Sequence, residues 1–233
     1  MQNPRNCFQS AALTTAFIVA ACSANGQILN GTTEPAPSDL AQRVAAAEAQ
    51  FPTVLANALT PDSVATVLRI IKNYPKQTAA GVTDFDNVVA PCDFSKTSPL
   101  LGPEQYAFFL APPPNGGAIL NECGTFGISA HSPPNFLAFN NTAPYTSGGI
   151  PETPELIVLD RPSTSSVSFW ISCGLNVSTP VGVVAYGPNG VLGVMIVRLN
   201  DSWKQVTLTA PGIIAFSLVG NPPILLVDDI LSQ

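Results

Sequence analysis

Ser165-Ser166-Val167-Ser168-Phe169-Trp170-Ile171-Ser172-Cys173-Gly174 alternates strictly. Val167, Phe169, Ile171 and Cys173 fall on one face, and Ser166, Ser168, Trp170 and Ser172 on the other. A period of two is that of an extended strand with one buried face and one wetter face. Downstream, residues 181–186 and 191–199 flank Gly187-Pro188-Asn189-Gly190, where Pro sets φ and Asn and Gly tolerate positive φ. That is a hairpin. Residues 203–209, 213–219 and 224–231 continue the pattern, separated by Ala-Pro-Gly and Gly-Asn-Pro-Pro. Upstream, 106–110, 118–120, 126–129, 136–139 and 156–160 are weaker strand segments. Roughly ten short strands at this spacing predict an all-β antiparallel sandwich and argue against α/β architecture.

Before about residue 83 the period is helical. Ser38-Asp39 caps a segment in which Leu40, Val44, Ala47 and Phe51 share a face. Thr60-Pro61-Asp62 gives a second cap with Pro in the first turn. Val64, Val67, Leu68 and Ile71 then form a stripe that Tyr74-Pro75 closes. The polar faces carry few cations, so the stripes read as packing faces and not as membrane-binding surfaces.

The N-terminus reads as an export signal. The first acidic residue is Glu34, and a stretch from Ala11 to Ala21 is apolar apart from Thr14 and Thr15. As a helix it covers only ~16 Å, about half a bilayer core, which suits a signal-peptide h-region and not a span. It ends Val19-Ala20-Ala21-Cys22-Ser23, which resembles the lipobox of bacterial lipoproteins and makes Cys22 a lipidation candidate. Ordinary cleavage near Ala24 or Gly26 is the alternative, and Arg5 is the only cation ahead of the h-region. The expected organisation is a signal peptide over 1–24, a tether over 25–37, a helical segment over 38–80 and a sandwich over 83–233. The product is expected to be secreted or lipid-anchored at the cell surface, with a lipid anchor its only route to a membrane.

Composition supports this class. Charged residues are 10% of the 233, apolar residues 46%, and 23 Pro and 17 Gly punctuate the chain. Net charge is −6 with nine Lys and Arg and no basic run, so a nucleic-acid partner is excluded. Cys92, Cys123 and Cys173 remain beyond the signal region, enough for one disulfide with one thiol left over. Cys92 and Cys123 lie in loop-like surroundings and are expected to pair, and Cys173 belongs to a core strand.

The order of segments from residue 83 resembles extracellular jelly-roll domains of bacterial surface proteins, including many that carry a PEP-CTERM sorting tail. The resemblance rests on Asp84-Phe85-Asp86, on Ser132-Pro133-Pro134-Asn135-Phe136-Leu137-Ala138-Phe139, and on the hairpin. It rests also on Trp203-Lys204-Gln205-Val206-Thr207-Leu208 and on Val227-Asp228-Asp229-Ile230. No sorting helix follows Gln233, so any anchoring is expected from the N-terminus. The resemblance implies a jelly-roll sandwich like those of carbohydrate-binding modules, without fixing a ligand. It also implies a structural Ca²⁺ held by Asp84 or Asp86 with Asp228 or Asp229, hard oxygen ligands suited to that ion. On a strand, neighbouring Asp228 and Asp229 are expected to face opposite ways.

A polysaccharide or cell-surface glycan partner needs aromatic rings with polar groups beside them. Trp170 is the first candidate because it interrupts a polar strand face, with Tyr186 and Tyr145 next; Trp203 reads as core or edge cover. Catalysis has little to work with. His131 is the only histidine, which removes two-histidine zinc sites. Gly127-Ile128-Ser129-Ala130-His131 lacks the final Gly and the strand–turn–helix setting of a nucleophile elbow. Glu152 and Glu155 have Pro-rich flanks and read as exposed loop. Asn30, Asn140, Asn176 and Asn200 head N-x-S/T sequons, which matter only in a host that glycosylates. An exported, non-catalytic binding or adhesion module is the expectation; a structural surface protein and a secreted hydrolase are its rivals.

Overall fold

The computed structural model describes residues 37–73, 82–86, 88–93, 108–110, 117–123, 128–140, 155–159, 163, 165–174, 176, 178–220, 222 and 224–233. The signal region with Cys22, the tether up to residue 36, and Tyr145 lie outside the described residues. Two helices come first, α1 (Pro37–Ala58) and α2 (Pro61–Asn73). The first runs on through Pro52 and is longer than its capped stripe alone predicts. At the α1–α2 junction, Thr60 Oγ1 accepts the Ser63 N–H at 3.3 Å, the N-cap expected from Thr60-Pro61-Asp62. No single helix among the described residues is long and apolar enough to cross a membrane.

Eleven strands follow among the described residues: β1 (Val82–Thr83), β2 (Phe108–Leu110), β3 (Ala118–Asn121), β4 (Asn135–Asn140), β5 (Glu155–Leu159) and β6 (Ser166–Ser172). The rest are β7 (Thr179–Gly187), β8 (Gly190–Leu199), β9 (Lys204–Thr209), β10 (Ala215–Val219) and β11 (Ile224–Ser232). One sheet has the order β3-β4-β11-β6-β9, with β1 on the far half of β11; the other runs β2-β5-β10-β7-β8. Every pairing is antiparallel. Counting β4 through β11 as first to eighth, the sheets read first-eighth-third-sixth and second-seventh-fourth-fifth. That is the double Greek key of a jelly roll.

The alternation in β6 decides the layers. Val167, Phe169 and Ile171 are buried against the second sheet, where Phe169 stacks on Phe216 with centroids 4.5 Å apart. Burying such a ring removes on the order of 2–3 kcal/mol of unfavourable hydration. Leu156, Val158, Val184, Tyr186, Ala215 and Val219 point the other way and are covered by Val54, Leu55, Val67, Ile70 and Ile71 of the helices. Val67 and Ile71 of the second stripe therefore pack against the sandwich, whereas α1 covers it with Val54 and Leu55, which are not in the first stripe; the side chains of Leu40, Val44 and Ala47 lie outside the described residues. Gly182 makes this approach possible, since a Cβ there would lie 2.7 Å from Leu55 Cδ1.

Two expectations change here. Ile128 and Ser129 are not strand; they belong to a connection that crosses the outer face of the first sheet. Glu155 is not in an exposed loop. It opens β5 on the same side as Ile157 and Leu159, and that register carries it into the interior, 1% exposed.

Candidate functional site

The outer face of the first sheet has an apolar half and a polar half. Ala118, Leu120, Phe136, Ala138, Ile224 and Leu226 form a second small core, covered by Ala130 and, at its margin, Ile128 and Trp203. Residues 128–134 are the lid of that core. Glu122 Oε2 accepts the Ala130 N–H at 2.8 Å, Ser129 O accepts the Trp203 Nε1–H at 2.8 Å, and Pro134 O accepts the Glu122 N–H at 3.0 Å. Cys92 and Cys123 are joined beside this lid with Cα atoms 5.6 Å apart. Cys173 takes no part in the disulfide and is buried in the main core.

Where the lid meets β11, the two adjacent aspartates depart from strand alternation. A bulge interrupts the β11–β6 register after Asp228, and Asp229 adopts φ 49°. Asp tolerates this left-handed region better than most residues. The carboxylates consequently face the same segment, contrary to the expectation for neighbours on a regular strand. Asp228 Oδ2 accepts the backbone N–H groups of His131 and Ser132 at 3.0 Å each, and Oδ1 accepts the Asp229 N–H at 2.9 Å. Asp229 Oδ1 accepts the Ser132 hydroxyl at 2.8 Å, and its Oδ2 lies 2.5 Å from His131 Nδ1.

Asp228 is fully buried. That burial pushes its carboxyl up to about 7, with the Asp229 charge adding to the rise and the three N–H donors opposing it.

Trp170 sits in one cross-strand row with Asp228 of β11 and Gln205 of β9. Its indole is half-buried, and the His131 imidazole stacks on it at 3.9 Å between centroids with 18° between planes. Trp203 meets His131 edge-on at 6.1 Å. Beyond the pair the face is polar: Ser166, Ser168, Gln205, Thr207 and Thr209.

The expected ligand residues separate. Trp170 is on this face, whereas Tyr186 is wholly buried on the opposite sheet beneath the helices, its hydroxyl 3.1 Å from Ser217 Oγ. Tyr186 forms no groove with Trp170. Of the four expected calcium ligands, Asp229 lies near enough for its charge to act on Asp86. Asp228 and Asp229 spend their oxygens on the lid, and Asp84 Oδ1 accepts the Asp86 N–H at 3.2 Å. Asp86 Oδ1 is buried without a hydrogen-bond partner, and burial, with the charges of Asp84 and Asp229 behind it, raises its carboxyl. Among the described residues no group of three or more His, Cys, Asp or Glu is placed to hold a metal ion. The residues that sequence reading missed are His131 and Ser132 as partners of the aspartates. They lie 96 to 98 positions away in the chain, and no local period announces the contact.

No protein-family model matches the chain, and no curated protein matches it. Solved structures similar to it include the K3 cleaved adhesin domain of Lys-gingipain from Porphyromonas gingivalis, with TM-score 0.39 and 13% identity over 65% of this chain and 97% of that one. TmCBM61 in complex with β-1,4-galactotriose gives TM-score 0.37 and 12% identity over 55% and 88%. CsCBM6-3 from Clostridium stercorarium in complex with cellobiose gives 0.31 and 16% over 63% and 98%. Likeness at this level assigns no ligand and no site. The jelly roll stands on the strand order alone.

Proposed function

We propose that this chain is an exported, non-catalytic module that binds glycans at the Trp170 face. The observation that carries the reading is a half-buried indole, with an exposed imidazole stacked on it, set in a sheet face otherwise made of hydroxyl and amide side chains. Aromatic faces stack on the apolar side of a pyranose while neighbouring polar groups fix its orientation. The export signal in residues 1–24, with Cys22 as a lipidation point, puts the module at the cell surface or beyond it, the setting of the surface proteins whose motif order it resembles.

Hydrolysis is the weaker reading on geometry. Ser132 Oγ bonds to Asp229 and not to the imidazole, whereas a serine nucleophile needs the histidine as its base. A structural calcium belongs to the proposal only at the Asp84–Asp86 side, supported by the unpartnered Asp86 oxygen. Asp228 does not fit as its ligand, because backbone N–H groups take both its oxygens. If the ion binds, adding a chelator lowers the melting temperature; an unchanged temperature removes it.

The test is a glycan array probed with the secreted chain, with and without calcium, followed by titration of any hit against Trp170→Ala. The expected result is binding that falls at least tenfold in the variant. Silence across the array sinks the binding reading and leaves a structural surface protein, a role for which the apolar edge of β8 speaks.

A further inference from the structure

We infer that His131 is itself a ligand-contacting residue, held by Asp229 as the Nδ1–H tautomer so that Nε2 accepts a hydrogen bond from a hydroxyl of a polyol seated beside Trp170. The inference rests on the glycan reading and names the residue that would select its hydroxyl.

The tautomer follows from the partner. Nδ1 lies 2.5 Å from Asp229 Oδ2, and an ionised carboxylate only accepts, so the shared hydrogen belongs to the ring nitrogen. Ser132 Oγ donates to the other oxygen of Asp229 at 2.8 Å and so helps to hold the carboxylate in this orientation. A neutral imidazole that donates from Nδ1 has a lone pair on Nε2. Among the described residues Nε2 has no hydrogen-bond partner, and 31% of the His131 side chain meets solvent.

The ring is also held by three contacts. Its backbone N–H is tied to Asp228, its plane lies on Trp170 at 3.9 Å, and Trp203 stands edge-on at 6.1 Å. Loss of side-chain freedom is costly in a surface loop. Here it yields an acceptor of set direction next to an aromatic face, which is the pairing that hydroxyl recognition uses. The cross-strand neighbour Gln205 is exposed beside Trp170 and offers both a donor and an acceptor to the same ligand.

Two measurements on the full secreted chain test this. Nitrogen NMR of the single histidine at neutral pH is expected to show hydrogen on Nδ1 and none on Nε2, and Asp229→Asn is expected to weaken that preference. A histidine with its hydrogen on Nε2 overturns the inference whatever the chain binds. With a sugar taken from the array, His131→Phe preserves an aromatic ring over Trp170 but has no acceptor. It is expected to lose at least tenfold in affinity with the melting temperature little changed, and His131→Gln, which retains an acceptor, to recover part of the loss. Wild-type binding that His131→Phe leaves intact overturns the inference and spares the glycan reading, and a chain that binds no sugar overturns both.

Discussion

Asp228 Oδ2 accepts the Ser132 backbone N–H at 3.0 Å, joining the closing strand to a loop 96 residues earlier. The same carboxylate also takes the N–H groups of His131 and Asp229. It is the clamp that seats the lid on the first sheet, and it places His131 over Trp170. Asp228→Ala leaves three backbone donors without this acceptor. A loss of about 2–4 kcal/mol is expected, read as a lower urea midpoint, together with a change in tryptophan fluorescence as the ring leaves Trp170. An unchanged midpoint contradicts the clamp.

Glu155 predicts a pH dependence. Burial pushes its carboxyl from 4.5 up to about 8, and Oε2 has no hydrogen-bond partner. The folded chain therefore keeps a proton between those values that the unfolded chain releases. Stability from this group is fully present below about pH 4.5 and declines as pH rises to about 8. Glu155→Gln imitates the protonated form and removes that decline. The variant should come close to wild type near pH 5 and exceed it by on the order of 5 kcal/mol near pH 9. Parallel melting curves across pH check this, and equal slopes for the two proteins contradict it.

The Cys92–Cys123 bond closes a separation of 31 residues. Chain-entropy reasoning assigns such a loop about 3–4 kcal/mol. The double variant Cys92→Ser with Cys123→Ser is expected to unfold at a correspondingly lower denaturant concentration. Proteolysis should find the 128–134 lid first, because one end of that lid has lost its covalent neighbour. Equal protease resistance in oxidised and variant protein would count against this role.

The outer edge of β8 has no strand partner among the described residues and exposes Val191, Leu192, Val194, Met195 and Ile196, the last at 59%. Its one charge, Arg198, lies at the end and pairs with Glu48 across an exposed 2.5 Å contact that contributes little stability. Long apolar edges invite strand addition, and a lysine on the edge blocks it. Ile196→Lys is expected to shift the melting temperature by no more than a few degrees and to raise the concentration at which light scattering first appears. A variant that scatters as early as wild type removes the edge as the cause.

Much of the fold is legible one strand at a time. The alternation in 165–174, the turn at 187–190 and the capped stripe of α2 are local periods, and local periods survive folding because they reflect which side of one element is wet. What failed were readings that needed to know what lies over a face. Tyr186 looks like a polar-tipped aromatic on a surface strand, but α1 and α2 cover that face. Glu155 looks like a loop carboxylate after a Pro-rich stretch, but β5 register turns it inward. Residues 126–129 looked like a strand; the described pair Ile128 and Ser129 is lid, held by Trp203 and the second core.

The alternation of Val167, Phe169, Ile171 and Cys173 against Ser166, Ser168, Trp170 and Ser172 was thus enough, with its neighbouring strands, to determine a β-sandwich and to put Trp170 on its outer face. Side-chain period is a property of the strand itself and needs no partner to be read. Tertiary structure alone decided that Trp170 carries a histidine and that the histidine is held by Asp229. It decided, too, that Asp228 and Asp229 face one way. The aspartate contacts bridge nearly a hundred residues and hinge on a single left-handed residue in a bulge, and neither distance nor backbone sign leaves a periodic mark in the chain.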